Sequence, residues 1–236
     1  MAPDRSAVRY RPHLDGLRAV AVYLVVAFHA GLGKVDAGFV GVDVFFVLSG
    51  FLVTKLLLAD LVRHGRFDVR RFYARRSRRI LPAAILVLAV TAIAYRLMAP
   101  PADVVDAMGG FRAASVYVAN WFFINQSTDY FASDLTRSPV LHFWSLAVEE
   151  QFYLLWPLIL GGGFFAVKRL GSARWVVLRV LVGGLAVASA VAAVRIGSSD
   201  LARAYYGTDT RAYQLLAGAL VALSPALGRL RGRARS

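Results

Sequence analysis

The sequence predicts an all-α protein, a polytopic membrane helix bundle. Three observations carry that prediction. Hydrophobic residues make up 58% of the 236 residues and charged residues 18%, against about 45–50% and about 25% in an ordinary soluble domain. Mean hydropathy is +0.56, too apolar for a single water-facing core and for a disordered chain. The apolar residues also fall into runs of span length, with the basic residues gathered between them.

A membrane helix needs about 20 mostly apolar residues. Six runs approach that length, roughly 17–33, 40–58, 80–99, 144–166, 175–196 and 211–228, all within one membrane domain over residues 1–236. The first does not read as a cleaved signal peptide. Arg18 stands at its entrance, no small-residue cleavage site follows, and a second apolar run comes at once.

Basic residues set the orientation. Of 28 Lys and Arg, eighteen lie in the segment before span one, the loop at 63–79, the stretch at 168–174 and the tail from 229 onward. The segments between the other span ends hold four: Lys34, Arg112, Arg137 and Arg203. The positive-inside rule then places both termini in the cytoplasm. The formal charge of +14 is a topological signal on this reading, and no nucleic-acid partner is expected. The chain has no Cys, which excludes disulfides, thiolate metal sites and a cysteinyl acyl-enzyme. No metal site is expected.

The longest outer segment runs from 100 to 143. Pro100 and Pro101 stop span three. Residues 111–124 are apolar and aromatic but short of a comfortable span, and predict a re-entrant or interfacial helix with Trp121, Phe122 and Phe123 at headgroup level.

Charged groups within spans cost at least ~2.5–3.5 kcal/mol each on insertion scales. In span one, Arg18 and His29 are eleven positions apart, hence on one helical face and separated by about 16 Å along the axis. His29 reads either as a packed, hydrogen-bonded side chain or as a proton-transfer group, the one side chain that changes charge near neutral pH. In span two, Asp43 reads either as a dipole-favoured N-terminal acid or as a functional carboxylate. Gly50 admits close approach of a helix or ligand. Ser49 is a hydroxyl that either packs on backbone or meets a substrate. Span four opens His142-Phe143-Trp144-Ser145-Leu146-Ala147-Val148-Glu149-Glu150-Gln151-Phe152-Tyr153. Ser145 suits an N-cap. Glu149 shares a face with Phe152, Tyr153 and Trp156, which points it into the bundle. The basic loop is a lipid-facing anchor, a cradle for a polyphosphate, or both. His64-Gly65-Arg66-Phe67-Asp68 resembles the H-x-x-x-D pattern of some soluble acyltransferases, but the flanking residues of that pattern are missing, so it carries no weight.

Five ordered blocks resemble acyltransferase family 3, the bacterial integral-membrane O-acyltransferases. They are Leu14-Asp15-Gly16-Leu17-Arg18 running to Phe28-His29-Ala30, the sequence from Gly38 to Leu52, Phe72-Tyr73-Ala74-Arg75-Arg76-Ser77-Arg78-Arg79-Ile80-Leu81-Pro82, the span-four sequence above to Pro157, and Tyr206-Gly207-Thr208-Asp209-Thr210-Arg211. The resemblance implies transfer of an acyl group from cytoplasmic acyl-CoA, a co-substrate and not a resident cofactor, to a hydroxyl of a carbohydrate or macrolide-type acceptor. It implies a multi-pass protein of the bacterial inner membrane. Carried onto this chain, it makes His29 catalytic, with Glu149 or Asp43 as its orienting carboxylate. Arg18, Arg75, Arg76 and Arg79 would bind the donor, and Ser49, Tyr153 and Arg211 would contact substrate. The family's membrane unit has ten helices, so six spans are expected to be a truncated form, one completed by a partner chain, or an inactive fragment. The competing class is a transporter or carrier using a His/Glu proton relay, against which stands the lack of an inverted repeat.

Overall fold

The computed structural model describes residues 12–30, 40–65, 68–127 and 138–224. Every regular element among them is a helix: α1 Pro12–His29, α2 Val40–His64, α3 Val69–Met98, α4 Pro101–Ser115, α5 Ala119–Ser127, α6 Phe143–Ala166, α7 Arg174–Gly197, α8 Leu201–Tyr206 and α9 Thr208–Leu223, with a 3₁₀ segment Lys168–Ala173 before α7. Three stretches are long and apolar enough to cross a membrane, Val40–Leu61, Val69–Met98 and Lys168–Gly197. The other expected runs are occupied by α1, by α6, whose first half carries Glu149, Glu150 and Gln151, and by α9 of 16 residues. Residues 31–33 of the first run and 225–228 of the last lie outside the described residues.

The helices pack on small residues. A Cβ on Gly41 would stand 2.6 Å from the Ala21 carbonyl oxygen and 2.7 Å from Val25 Cγ2, so α1 lies against the start of α2. A Cβ on Gly50 would collide with the Leu215 carbonyl, and one on Gly218 with the Val47 carbonyl. The ligand-or-helix question raised by Gly50 is thus answered by α9. Asp43 meets Arg211 and Gln214 farther up the same pair, so α2 and α9 run in the same sense. Without apolar solvent contrast in lipid, such backbone approach is what dispersion attraction needs. Phe46, Leu57, Phe123, Val148, Trp156 and Leu215 are each no more than 1% exposed, and they centre the core between α2, α5, α6 and α9.

Asp68 caps α3 by accepting from Arg71 N at 2.9 Å, which gives that acid of the discounted H-x-x-x-D pattern a structural role. The helix therefore starts eleven residues before the expected span, and the basic signature is itself helical. Tyr73 Oη donates to the Leu154 carbonyl at 2.6 Å and Arg76 meets Glu150, contacts that run in opposite chain directions and make α3 and α6 antiparallel. Ile85, Leu86, Val90 and Ile93 of α3 stay exposed.

Two local expectations are corrected. The segment at 111–124 is not one helix but the end of α4 and the start of α5. Val118 N donates to the Ala113 carbonyl at 2.9 Å and Tyr117 N to the Ala114 carbonyl at 3.2 Å. That pair of bonds is a Schellman ending, and it places Tyr117 at φ 57°, the left-handed region usually taken by Gly. A side chain there costs about 1–2 kcal/mol. Nor is Ser145 the N-cap of α6: the helix begins at Phe143 behind His142, and Ser145 Oγ donates backward to the His142 carbonyl at 3.2 Å. The preceding turn, in which Phe143 N bonds the Val140 carbonyl, already starts the coil.

Candidate active site

Polar side chains from seven helices meet in three adjoining groups. The first is built on α6. Helical spacing puts Glu149 and Tyr153 on one face, and Tyr153 is 3% exposed. Ser49 of α2 hydrogen-bonds the Glu149 carboxylate, and Arg76 and Arg18 lie within electrostatic reach of it. Glu150 takes Arg76 Nε at 3.2 Å and Nη2 at 3.1 Å on one oxygen, with both side chains 19% exposed. The guanidinium carbon of Arg76 stands 3.0 Å from the Tyr153 ring centroid, so the same cation is paired and stacked. Tyr117, at the α4–α5 break, lies within electrostatic reach of Arg76 and Glu150. Below this group Trp156 Nε1 donates to Thr54 Oγ1 at 2.8 Å.

The second group is built on the start of α2. Asp43 Oδ1 accepts from Arg211 Nη1 at 3.1 Å and Gln214 Nε2 at 2.7 Å. Arg211 Nε donates to the Tyr205 carbonyl at 2.8 Å, and its guanidinium packs over the rings of Tyr205 at 4.5 Å and Trp144 at 5.7 Å. Trp144, Tyr205 and Tyr206 contact one another at 5.0–5.3 Å.

The third group is a saturated amide knot. Gln151 Nε2 donates to the Tyr117 carbonyl at 2.8 Å and to Asn120 Oδ1 at 2.9 Å. Its Oε1 accepts from Trp121 Nε1 at 3.1 Å and from the Thr208 hydroxyl. Asn120, fully buried, donates to the Tyr206 carbonyl at 3.1 Å and to Thr208 Oγ1 at 2.9 Å. Beside it Arg203 grips Asp209 with two bonds of 2.7 Å. That fork, with nearby backbone N–H groups, holds the Asp209 carboxyl below its ordinary range.

The structure therefore brings together Arg18, Ser49, Arg76, Glu149 and Tyr153 of the expected site, and places Asp43 with Arg211 in the neighbouring group. Arg75 pairs with Asp60 at 3.6 Å and, like Arg79, stands on the exposed side of α3. Residues 75 and 79 are one turn apart and share that side, whereas 76 is turned about 100° away, into the acids. His29 ends α1, and its side chain lies outside the described residues.

Sequence reasoning missed Glu150 as Arg76's partner, gave Gln151 no partners, and missed Tyr117, Asn120, Thr208, Arg203 and Gln214. Gln151 stood in a quoted block and was a readable signal. Nothing marks Tyr117, because a non-Gly residue at positive φ has no sequence sign.

The acyltransferase domain family matches residues 11–236. The chain belongs to that family. It is 39% identical over 224 residues to the peptidoglycan O-acetyltransferase OatA of Listeria monocytogenes, an alignment covering 92% of this chain and 34% of that protein. It is 41% identical to the putative peptidoglycan O-acetyltransferase YrhL of Bacillus subtilis, over 91% of this chain and 33% of that one. The O-acetyltransferase OatA of Staphylococcus aureus is 37% identical over 91% and 34%. The chain thus spans about a third of the length of the curated relatives it matches. No solved structure matches it. With its membrane-type helices, this member of the acyltransferase domain family is a multi-pass membrane protein.

Proposed function

We propose that residues 1–236 form the membrane part of an O-acyltransferase that moves an acyl group from cytoplasmic acyl-CoA to a hydroxyl of a carbohydrate or glycosylated natural product. One observation carries this reading. Ser49, Arg76, Glu149 and Tyr153, from three helices, converge in the interior of a chain of an acyltransferase family, with the partly exposed Arg18 of a fourth helix within electrostatic reach. Charged groups gathered inside a membrane bundle mark a substrate path by default. The relatives named for peptidoglycan make a glycan the first acceptor to try.

On this reading the donor's phosphates dock on the exposed basic side of α3, where Arg75 and Arg79 stand, with Arg76 and Arg18 further in. His29 takes the acceptor's hydroxyl proton as its oxygen attacks the thioester carbonyl. The C–S bond breaks, an ester forms, and the departing thiolate receives a proton. Between the two candidate carboxylates, topology favours Asp43 as the group that orients His29. Val25 abuts Gly41, and His29 lies one turn beyond Val25 on the same face, at the end of the hairpin where α2 begins. Glu149 instead keeps company with Arg18, about 16 Å back along α1. Both termini are cytoplasmic on this reading, in a bacterial inner membrane, and a partner segment or chain completes the bundle.

The test uses membranes carrying the protein, radiolabelled acetyl-CoA and a peptidoglycan acceptor. Label should appear as ester on the glycan, and His29→Ala should lower transfer by about 10²–10⁴-fold while the protein still inserts. Near-full transfer by that variant would sink the mechanism. Proton-driven uptake without label transfer would favour a carrier instead.

A further inference from the structure

We infer that Tyr117 is a binding residue for the acyl donor, and that Gln151 is the positioning residue that holds it in place. The inference rests on the reading of this site as an acyltransferase centre and adds two residues to it.

Four observations support it. Tyr117 is the non-Gly residue with positive φ among the described residues. Backbone strain of that kind persists only where surrounding structure enforces it, and it gathers at functional sites. Second, the enforcing contact is visible: Gln151 Nε2 donates to the Tyr117 carbonyl at 2.8 Å. Third, that amide has no slack. Both its donors and both lone pairs of its oxygen are occupied, by Tyr117, Asn120, Trp121 and Thr208. A saturated amide cannot rotate without breaking four bonds, so it fixes the turn rigidly. Fourth, Glu150, which adjoins Gln151 in sequence, bonds Arg76 at 3.1 Å, and Tyr117 lies within electrostatic reach of that pair.

The chemistry follows. The Tyr117 hydroxyl supplies a proton to donate. Arg76 gives Nε and Nη2 to Glu150, and its guanidinium carries further N–H donors beyond those two. A phenol and a guanidinium within electrostatic reach of each other suit an oxygen-rich, acceptor-bearing ligand. An acyl-CoA arm offers such groups in its amide carbonyls and phosphates. Gly at 117 would give the same backbone without strain. The presence of Tyr there instead is accounted for by its side chain's task.

The experiment measures equilibrium binding of radiolabelled acetyl-CoA to the purified full chain in detergent, alongside thermal unfolding and steady-state transfer. Tyr117→Phe keeps the ring and removes the proton. It should weaken acetyl-CoA binding about tenfold and raise the donor KM equally, with kcat little changed. Tyr117→Gly should raise the unfolding temperature and yet lose donor affinity at least as much. Gln151→Leu should lose affinity too, and adding it to Tyr117→Phe should cost little more, because both act on one contact. Unchanged donor affinity in Tyr117→Phe and Tyr117→Gly overturns the inference alone. Failure of the unsubstituted protein to bind acetyl-CoA overturns both the inference and the donor assignment. Binding with these losses but without transfer to any glycan leaves the inference standing and removes the proposed acceptor.

Discussion

Arg76 and Glu150 form a pair that is also a stack: two nitrogens of the guanidinium share one carboxylate oxygen, while its carbon lies 3.0 Å from the centre of the Tyr153 ring. The pair links α3 to α6, 74 residues apart in sequence. Charges desolvated in this way are expensive singly and tolerable together.

Arg76→Ala should therefore destabilise the protein far more than a surface Arg would, by about 3–5 kcal/mol, because it strands Glu150. Glu150→Gln keeps an acceptor for the guanidinium and should cost less. Arg76→Lys should not restore stability, since an ammonium lacks both the fork and the stacking plane. Thermal unfolding in detergent ranks the three. An Arg76→Ala protein as stable as the unsubstituted one would show that the pair carries no structural weight.

Gly50→Ala and Gly218→Ala should each destabilise by about 1–3 kcal/mol, the ordinary cost of overpacking. In both, the new methyl meets backbone of the facing helix, which cannot swing aside as a side chain can. Gly183 and Gly184 in α7 provide the contrast, because a Cβ there meets nothing within 4 Å. Alanine at either should be neutral or stabilising by about 0.5–1 kcal/mol through backbone entropy. Equal effects in the two pairs would refute the α2–α9 contact.

The helices were legible because they are written in long apolar runs. The bounds of α6 and α7 fall within a residue or two of expectation, since the start of α6 and the basic stretch before α7 both punctuate the sequence. The inward turn of Glu149 was legible too, from its spacing to Phe152, Tyr153 and Trp156, all of which are buried. What could not be read were partnerships between distant segments. Nothing local says that Arg76 rather than Arg75 turns inward, because that depends on where α6 packs. The break at Tyr117 was hidden for a related reason. The Schellman turn usually advertises itself with Gly, and here a tertiary clamp from Gln151 replaces that signal.

Asp209 supplies a pH dependence outside the expected spans. Its carboxyl is held low, first by the hydrogen bonds from Arg203. A lowered native pKa means the contribution is complete above the ordinary carboxylate range and is lost as pH falls through the depressed value. The Asp209 side chain is 51% exposed, so the contribution is modest, about 1 kcal/mol or less. Unfolding temperatures measured between neutral pH and pH 3 should fall less steeply in Asp209→Asn than in the unsubstituted protein. Parallel curves would mean the fork does not titrate with folding.

Asp43 and Glu149 make opposite predictions, and conservative variants separate them. If Asp43 orients His29, Asp43→Asn should lower kcat by about 10²–10⁴-fold while leaving the donor KM near its normal value. The amide preserves shape and can still accept a bond from Arg211 or Gln214, so folding should survive. Glu149→Gln removes a charge that faces Arg18 and Arg76, and its first effect should be on donor binding. Rescue distinguishes orientation from simple charge balance: Asp43→Glu restores the charge next to Arg211 but moves the carboxylate by about 1.5 Å, one carbon–carbon bond. It should keep stability and remain slow, because a displaced orienting group mispositions the base. Full activity in Asp43→Asn together with collapse of kcat in Glu149→Gln would hand the role to Glu149, and would require His29 to reach back along α1 toward Arg18.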